Sequence, residues 1–249
     1  MLIINVAAQQ LVVESAVQNI RFSAHALPVN PPNGHPASVA GAYAGTMEFD
    51  QVIRKRRMVR AFTSEPLDSG VTGRLLVAAN RAPSAGFSQG YALLVLEGSA
   101  QLAPFWHLMA SDAEDGDVSP AVADALANAP LVVVPLSCKD LYLERYARPD
   151  KGWVDRDEAR WPVPYWDIDT GFMALLMLLA AVDEGLGALF FGIAPALMGR
   201  FHEQYGVPER YRPIGAVAVG HPDPTADPSG SARVIGRRSL DDLVHRGRW

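Results

Sequence analysis

An uninterrupted apolar stretch, Gly171 to Val182, sets the strongest limit on the fold of this chain, and it stops after 12 residues at Asp183 and Glu184. A membrane-spanning helix needs roughly 20 apolar residues, so this stretch is too short to cross a bilayer. A helix that is apolar on all sides has to be covered by the rest of the protein. The sequence therefore predicts a soluble domain around a buried helix from about Asp167 to Glu184.

Shorter apolar segments alternate with helical patterns along the rest of the chain. Helices are predicted at Met47 to Arg57, from Asp68 or Ser69 to Pro83, and at Ser99 to Met109, Ser119 to Asn128 and Pro195 to Gly206, and strands at Tyr91 to Leu96, Leu131 to Ser137, Ala188 to Phe191 and Ile214 to Val219. Because Pro135 cannot donate to a strand ladder, its strand is predicted to lie at an edge or to carry a bulge. The alternation indicates a layered α/β or α+β domain in which helices cover a central sheet.

The stretch from residue 139 to residue 166 has no regular pattern and is predicted to be irregular. It carries six aromatic residues, Tyr142, Tyr146, Trp153, Trp161, Tyr165 and Trp166. A segment of this kind either covers a planar ligand as a flap or packs its rings together. The sequence leaves both alternatives open.

The composition limits the class of protein. The chain has 249 residues, of which 49% are apolar and 20% are charged, and this suits one domain with a sizeable core. Its 27 acidic residues outnumber the 22 basic ones, so a broad positive surface for nucleic acid is not expected. Cys138 is the only cysteine, which excludes an intramolecular disulfide and agrees with a reducing cytoplasm. Its apolar surroundings predict a buried thiol.

The first 46 residues differ in character from the rest of the chain. They combine an apolar start, which lacks the basic segment of a secretory signal, with a stretch rich in Pro, Gly and Ala. We interpret residues 1–46 as a poorly ordered N-terminal extension and residues 47–249 as the folded domain. Met47, which opens the first helical pattern, is a candidate translation start.

Five of the seven residues from Arg54 to Arg60, here called the basic segment, are cationic: Arg54, Lys55, Arg56, Arg57 and Arg60. Guanidinium groups offer paired donors, and each charge-assisted hydrogen bond to a phosphate contributes about 1.5–3 kcal/mol. A basic run of this length is also typical of a solvated helix face, a localisation signal or a nucleic-acid patch. Val59 and Phe62 alternate with Arg60, which predicts that the run enters a partly buried extended segment and favours a focused anion site.

Three other motifs carry less weight. Gly86 to Gly90 matches the G-x-S-x-G pattern of hydrolases, but a helix precedes it and a strand follows, the reverse of a nucleophile elbow. The six histidines lack the spacing of metal ligands, so no metal site is predicted. Gly185, Gly187 and Gly192 resemble a dinucleotide-binding loop only loosely and are better explained by a helix cap and a tight turn.

Several segments, taken in their order along the chain, resemble the FMN-dependent nitroreductases. The N-terminal signature of that family is similar to R-[RH]-S-x-[RK]-x-F, and Arg56 to Phe62 reads RRMVRAF. A second signature resembles P-S-[SA]-x-N-S-Q, and Pro83 to Gln89, here called the 83–89 loop, reads PSAGFSQ. The turn Phe190 to Gly192, the strand Pro213 to Gly220 and the ending Arg237 to His245 are similar as well. The resemblance covers about Met47 to Trp249 and implies an α+β fold with a central mixed β-sheet flanked by helices, in a homodimer.

Carried over to this chain, the resemblance implies an FMN site that is built from several places. Arg56, Arg57 and Arg60 would hold the phosphate and the ribityl chain, and Arg237 or Arg238 would close on the phosphate. Phe191 and Gly192 would lie beside the isoalloxazine ring. Pro83, Ser84, Ala85 and Gln89 would reach the flavin of the partner subunit.

Two positions depart from the signatures, since Met58 stands where the family usually has serine and Phe87 where it usually has asparagine. Both stay in the implied cofactor-binding set, because a thioether or a ring can pack or stack where a polar contact is lost. The implied reaction passes hydride from NAD(P)H through FMN to nitroaromatic, quinone or activated-alkene substrates and requires no catalytic acid or base from the protein. The departures leave one alternative open, a non-catalytic flavin-binding or dimerisation module.

Overall fold

A central antiparallel sheet organises the fold, with helices on both faces. The computed structural model describes residues 47–111, 120–226 and 234–249, so the predicted N-terminal extension and Ser119 lie outside the described residues. The described elements are α1 (Phe49–Lys55), α2 (Val71–Ala79), β1 (Tyr91–Glu97), α3 (Ser99–Ala110), α4 (Pro120–Ala127), β2 (Leu131–Ser137), α5 (Lys139–Tyr146), α6 (Tyr165–Asp183), β3 (Gly187–Phe191), α7 (Met198–Tyr205), β4 (Arg212–Pro213) and β5 (Ala216–Gly220). Short 3₁₀ turns cover Ala85–Phe87, Glu158–Arg160 and Pro195–Leu197.

The strands run in the order β1-β2-β5-β3, and β4 pairs with the end of β2. Every pairing between these strands is antiparallel. The sheet was predicted to be mixed, and among the described residues its parallel component is an isolated bridge between Met58 and Ala188. The predicted α+β class, with a central sheet and flanking helices, is confirmed.

Pro135 lies in the middle of the sheet, so the prediction of an edge strand is wrong. All seven residues of β2 are buried, and β2 has neighbours on both sides. Val133 faces Val217 and Leu136 faces Pro213, which leaves two residues of β2 opposite three residues between β4 and β5. This extra residue is a bulge, the other alternative that the proline had indicated. A missing N–H costs little where the ladder is already interrupted.

Alternating side chains of the strands build two separate cores, because successive residues of a strand point to opposite faces. On one face, Val132, Val134 and Leu136 pack with buried residues of α3 and α7. On the other face, Leu131 and Val133 pack with buried residues of α2 and α6. Complete burial of each such side chain contributes about 1.5–3 kcal/mol. The domain therefore has three layers, with the sheet in the middle.

Helix α6 is the buried helix that the sequence predicted. It is long and apolar enough to be considered for a membrane span, and half of that stretch is buried inside the domain, as in the core helix of a soluble protein. Ile168, Phe172 and Leu175, spaced as one face of a helix, nevertheless remain exposed. The helix thus has one face in the core and an exposed apolar face.

Local structure differs from prediction at three places. Gly70, in a left-handed conformation, precedes α2, so neither Asp68 nor Ser69 caps this helix with its side chain. Residues 139–146 form α5 instead of irregular chain, because the fully buried Tyr142 attaches this helix to the core. On α1, the spacing of Phe49, Val52 and Ile53 predicts one apolar face, but Val52 is buried while Phe49 and Ile53 are exposed.

Candidate functional site

The basic segment begins in α1 and continues as extended chain. Arg56 caps the helix, and its amide N–H donates into the last turn at 3.0 Å. Beyond it, Val59 and Phe62 are buried, and Met58 pairs with Ala188 of β3. The prediction that the run enters a partly buried extended segment is confirmed.

The guanidinium groups of the basic segment differ in what they contact. Arg54 forms a salt bridge of 2.8 Å with Asp50, one turn earlier in α1. The Nη1 atom of Arg60 lies 3.5 Å from the carbonyl oxygen two residues before it. Within the described part of the chain, the side chains of Arg56, half-buried, and Arg57, exposed, have no ion-pair or hydrogen-bond partner. Two uncommitted cations at adjacent positions are suited to a multiply charged anion.

The 83–89 loop makes a tight turn between α2 and β1. Its centre is a 3₁₀ turn, and the Ser84 hydroxyl accepts the amide N–H of Gln89 at 3.1 Å. Phe87 and Gln89 adopt left-handed backbone conformations with φ of 52° and 50°, which is uncommon outside glycine. The Phe87 side chain is 74% exposed. The loop therefore presents an aromatic ring to the outside of the subunit.

Close packing against α5 supports this loop from behind. A Cβ atom at Gly86 would lie 2.7 Å from the ring of Tyr146, and one at Gly90 would lie 2.5 Å from the ring of Tyr142. Arg145 donates to the carbonyl oxygen of Gly86 at 2.9 Å. A cavity of about 330 Å³ opens between the loop and α5. The loop is thus an anchored wall of that cavity.

Phe191 and Gly192 lie where β3 ends. The ring of Phe191 stacks on Trp106 of α3, with 5.8 Å between centroids and 16° between planes. Gly192 is exposed, and a Cβ atom there would meet no atom within 4 Å, so its backbone is open to a ligand. Sequence analysis missed Trp106, because its position in α3 looks like that of any core residue.

The chain just before α1 and the 83–89 loop are hydrogen-bonded to opposite ends of α6. The amide N–H of Met47, just before α1, donates to Asp183 at 2.6 Å, near the C-terminal end of α6. The amide N–H of Ala85 donates to Asp169 at 2.8 Å, near the N-terminal end. These two aspartates are 14 residues apart on the helix, which corresponds to about 21 Å. Met58 of the basic segment pairs with Ala188, five residues after Asp183, so the basic segment and the 83–89 loop lie near opposite ends of α6 in one chain.

Arg237 and Arg238 lie in an exposed C-terminal segment, residues 234–249. The Nη2 atom of Arg238 donates to the carbonyl oxygen of Asp242, and Ser239 donates to the carboxylate of the same aspartate at 2.7 Å. Among the described residues, the side chains of Arg56 and Arg57 make no hydrogen bond or ion pair with this segment. Closure of Arg237 or Arg238 on a phosphate stays a prediction.

The six rings of the predicted flap pack mainly against one another. The ring centroid of Trp161 lies 4.5 Å from that of Tyr146 and 5.6 Å from that of Trp153, both edge-on. It also contacts Tyr142, Tyr165 and Trp166. Its indole Nε1 is buried and has no hydrogen-bond partner among the described residues. This arrangement is an aromatic cluster with its own small core.

Two tyrosines beside the 83–89 loop have raised pKa values. Burial raises the pKa of Tyr142 far above its ordinary value, and its hydrogen bond to Asp169 acts in the same direction. Burial also raises the pKa of Tyr91, partly offset by a hydrogen bond with Ser84. Both phenols therefore stay protonated near neutral pH and serve as donors, not as bases.

Other chemistry has little support in the part of the chain that the structure describes. It contains no group of three or more His, Cys, Asp or Glu residues able to hold a metal ion. Cys138 is fully buried, as predicted. The Ser88 hydroxyl, at the serine position of the hydrolase-like pattern, donates to the carbonyl oxygen of Ala85 at 2.6 Å.

Comparison with known proteins identifies one family. Residues 53–221 match the Nitroreductase family. A protein of Archaeoglobus fulgidus named "Putative NADH dehydrogenase/NAD(P)H nitroreductase" is 25% identical over 201 residues, which are 80% of this chain and 97% of that protein.

Solved structures share the fold. Nitroreductase CinD from Lactococcus lactis, in complex with nicotinic acid, has a TM-score of 0.60 at 17% identity. The match covers 77% of this chain and 100% of the CinD chain. CinD in complex with chloramphenicol has a TM-score of 0.58 at 17% identity, with the same coverage. A nitroreductase family protein from Streptococcus pneumoniae TIGR4 has a TM-score of 0.58 at 20% identity. That match covers 80% of this chain and 100% of the Streptococcus pneumoniae chain.

Proposed function

The chain belongs to the nitroreductase family of NAD(P)H oxidoreductases, and from that premise we propose that it is an FMN-dependent enzyme that reduces nitroaromatics, quinones or activated alkenes. The observation that carries the cofactor assignment is the pair of uncommitted guanidinium groups, Arg56 and Arg57, at the end of α1. Family membership favours an enzyme over the non-catalytic flavin-binding or dimerisation module.

The donor set fits the phosphate end of FMN. A phosphate monoester carries close to two negative charges, and guanidinium groups meet it with paired donors at fixed geometry. Arg56, Arg57 and Arg60 lie within five residues of one another, on a segment that is anchored by buried side chains. Arg237 or Arg238 would add a further cation from the C-terminal segment.

The ring end of FMN fits the end of β3. From Ala188, which pairs with Met58, to Phe191 the strand advances three residues, or about 10 Å. Gly192 offers open backbone there, and the stack on Trp106 fixes the ring of Phe191. FMN bound there would supply the chemistry of hydride transfer between NAD(P)H and the second substrate. The residues around it bind, orient and exclude water, and none is assigned as an acid or base.

The two departures from the family signatures fit this arrangement in different ways. Met58 is half-buried and packs against the core layer formed by α2 and α6. Its thioether therefore contributes to packing where serine would offer a hydroxyl. Phe87 is mostly exposed, so its ring is free to stack on a planar group outside its own subunit.

A homodimer completes the proposed site. Exposed apolar side chains lie on two neighbouring helices, Phe49 and Ile53 on α1 and Ile168, Phe172 and Leu175 on α6. An apolar surface of this kind is typical of a protein interface. Because the basic segment and the 83–89 loop lie near opposite ends of α6, a two-fold axis across α6 would bring the loop of one subunit to the basic segment of the other. Pro83, Ser84, Ala85, Phe87 and Gln89 would then act across the interface.

The substrate class follows from planar surfaces and from the relatives. CinD has been solved with nicotinic acid and with chloramphenicol, both of which contain an aromatic ring. Here the exposed ring of Phe87 supplies flat apolar surface on the 83–89 loop. A cytoplasmic location is also part of the proposal, since the chain's single cysteine forms no intramolecular disulfide.

The test begins with the visible spectrum of the purified protein. We expect a flavin spectrum, and FMN identified by chromatography after heat release, followed by NADH or NADPH oxidation that depends on an added quinone or nitroarene. Colourless protein that takes up no added FMN would overturn the proposal. Bound FMN that, once reduced by dithionite, transfers no electrons to any of these acceptors would support the non-catalytic alternative.

A further inference from the structure

We infer that Asp169 is a positioning residue, a buried carboxylate that holds the 83–89 loop in the conformation it needs for cofactor binding and couples that loop to the aromatic cluster. The inference rests on the proposed function, in which the loop contacts FMN. It concerns a residue of α6 that neither family signature contains, and that we place behind the loop and not in contact with the cofactor.

One oxygen of Asp169 accepts two hydrogen bonds from distant parts of the chain. Its Oδ2 atom accepts the amide N–H of Ala85 at 2.8 Å and the hydroxyl of Tyr142 at 2.7 Å. Asp169 is only 3% exposed and Tyr142 is fully buried. Hydrogen bonds to a charged acceptor are stronger than neutral ones, and their loss leaves buried donors unsatisfied.

The loop needs such an anchor because its backbone is strained. Left-handed conformations at residues other than glycine persist only where the surrounding structure enforces them, and Phe87 and Gln89 both adopt one. Asp169 binds the loop at Ala85, two residues before Phe87 and four before Gln89. Arg145 donates a hydrogen bond to the loop at Gly86, and its guanidinium group is fixed by a bidentate ion pair with Asp150, at 2.7 and 2.8 Å.

The same carboxylate reaches the aromatic cluster through Tyr142. The ring of Tyr142 packs edge-on against Trp161 and Trp166, with centroid distances of 5.9 and 6.3 Å. It also closely approaches Gly90, where the loop passes into β1. A shift of α5 is thereby transmitted to the loop along one chain of contacts, from Tyr142 through Asp169 to Ala85.

Asp167 offers a matched control on the same turn of α6. It too is a hydrogen-bonded carboxylate, but its partners are Ser137, at 2.7 Å, and Arg212. None of these residues belongs to the 83–89 loop. Asp167→Asn and Asp169→Asn therefore remove the same charge from the same helix turn, but only Asp169→Asn changes a side chain that is hydrogen-bonded to the loop.

The experiment compares wild type, Asp167→Asn, Asp169→Asn and Tyr142→Phe. Hydrogen exchange of the FMN-free proteins reports on the loop amides, flavin fluorescence titration gives the Kd of FMN, and visible circular dichroism reports how bound flavin is held. We expect Asp169→Asn to expose residues 83–89 to exchange, to raise the Kd about tenfold and to change the dichroism, while Asp167→Asn matches wild type. Tyr142→Phe should act in the same direction with a smaller effect.

The outcomes separate the inference from the proposed function. Asp169→Asn protein that equals Asp167→Asn protein in loop exchange and in FMN affinity would overturn the inference. A loosened loop with unchanged FMN affinity and dichroism would overturn it as well, because the anchoring would then be structural only. Failure of the proposed function is visible in wild type alone, as an absence of FMN binding.

Discussion

At the level of single residues, neighbouring arginines of the basic segment have different surroundings. Arg54 is held by Asp50 in an exposed i,i+4 pair, where cations also complement the C-terminal end of the helix. Arg56 stands past the last helical residue, is half-buried and has no side-chain partner among the described residues. Only the second situation leaves a guanidinium group available to a ligand.

We therefore expect Arg56→Ala to weaken FMN binding by about 1.5–3 kcal/mol, the loss of a charge-assisted hydrogen bond, with the fold retained. Arg238→Ala should act in the same direction. Arg54→Ala is the control, since its guanidinium is committed to Asp50. Fluorescence titration with FMN and far-UV circular dichroism measure the two effects. An equal loss in Arg54→Ala would show that the phosphate contact is wrongly assigned.

Position 90 has to be glycine because its neighbours leave no room for a side chain. Replacing Gly90 therefore tests the packing that supports the 83–89 loop. A Cβ atom there would lie 2.5 Å from the Tyr142 ring and 2.8 Å from the carbonyl oxygen of Cys138. We expect Gly90→Ala to lower the free energy of unfolding by about 1–3 kcal/mol through overpacking. Gly73→Ala, in open space on α2, should leave stability unchanged or raise it. Urea denaturation compares them, and equal midpoints would contradict the predicted clash.

At the level of elements, the layers depend on which face of each helix meets the sheet. In α2, Leu75 is 1% exposed and belongs to the core shared with α6, whereas Val77 on the same helix is 43% exposed. The sheet shows the same alternation, with odd and even residues of β2 in different cores. The effect of a substitution on the free energy of unfolding should therefore depend on which face of its element the residue occupies, and not on how apolar its side chain is.

Two substitutions in α2 test that dependence. Leu75→Ala should lower the free energy of unfolding by about 2–5 kcal/mol, because it leaves a cavity in a packed layer. Val77→Ala should change it by no more than about 0.5 kcal/mol, as is usual at the surface. Both are measured by denaturant unfolding at one protein concentration. Similar losses in the two variants would mean that α2 is oriented differently.

At the level of the whole molecule, the proposed site is complete only when two subunits meet. The 83–89 loop and Met47, which leads through α1 into the basic segment, are hydrogen-bonded to residues about 21 Å apart on α6. The exposed apolar residues of α1 and α6 supply a surface for a second copy. Assembly and cofactor binding should therefore be linked.

Leu175→Asp tests this link by placing a charge on the exposed face of α6. We expect monomers in light scattering and a large loss of FMN affinity, although the residue touches no predicted cofactor contact. Ala103→Asp, exposed on α3 in the opposite layer, is the control and should remain dimeric and bind FMN. A Leu175→Asp monomer that binds FMN as wild type does would exclude a shared site.

Mixed dimers provide an independent test of site sharing. One chain carries Arg56→Ala with Arg57→Ala, and the other carries Asp169→Asn, so both sites are impaired in either homodimer. In the mixed dimer, one site combines an intact basic segment with an intact loop. We expect one tight FMN site per mixed dimer, measured by titration after purification with two different tags. No tight site in the mixed dimer would place the loop and the basic segment in the same subunit's site.

Local patterns in the amino-acid sequence determined most of the elements, because burial on one face imposes a period that can be read from neighbouring residues. The strand at Leu131–Ser137, the buried helix α6 and the extended chain after Arg57 were all predicted in this way. The family signatures also located the candidate cofactor contacts. The same patterns left open whether Pro135 lies at an edge or at a bulge and treated α5 as irregular, since both depend on neighbours from elsewhere in the chain.

Only the tertiary structure decided which residues support the site. Asp169 and Ala85 are 84 residues apart in the chain. Trp106 and Phe191 come from different elements, a helix and a strand, and local periodicity treats each element separately. Hydrophobic periodicity specifies a face, but it does not specify which distant donor a buried carboxylate will meet. That choice is made when the elements pack, because a buried charge is tolerated only where the fold supplies its hydrogen-bond partners.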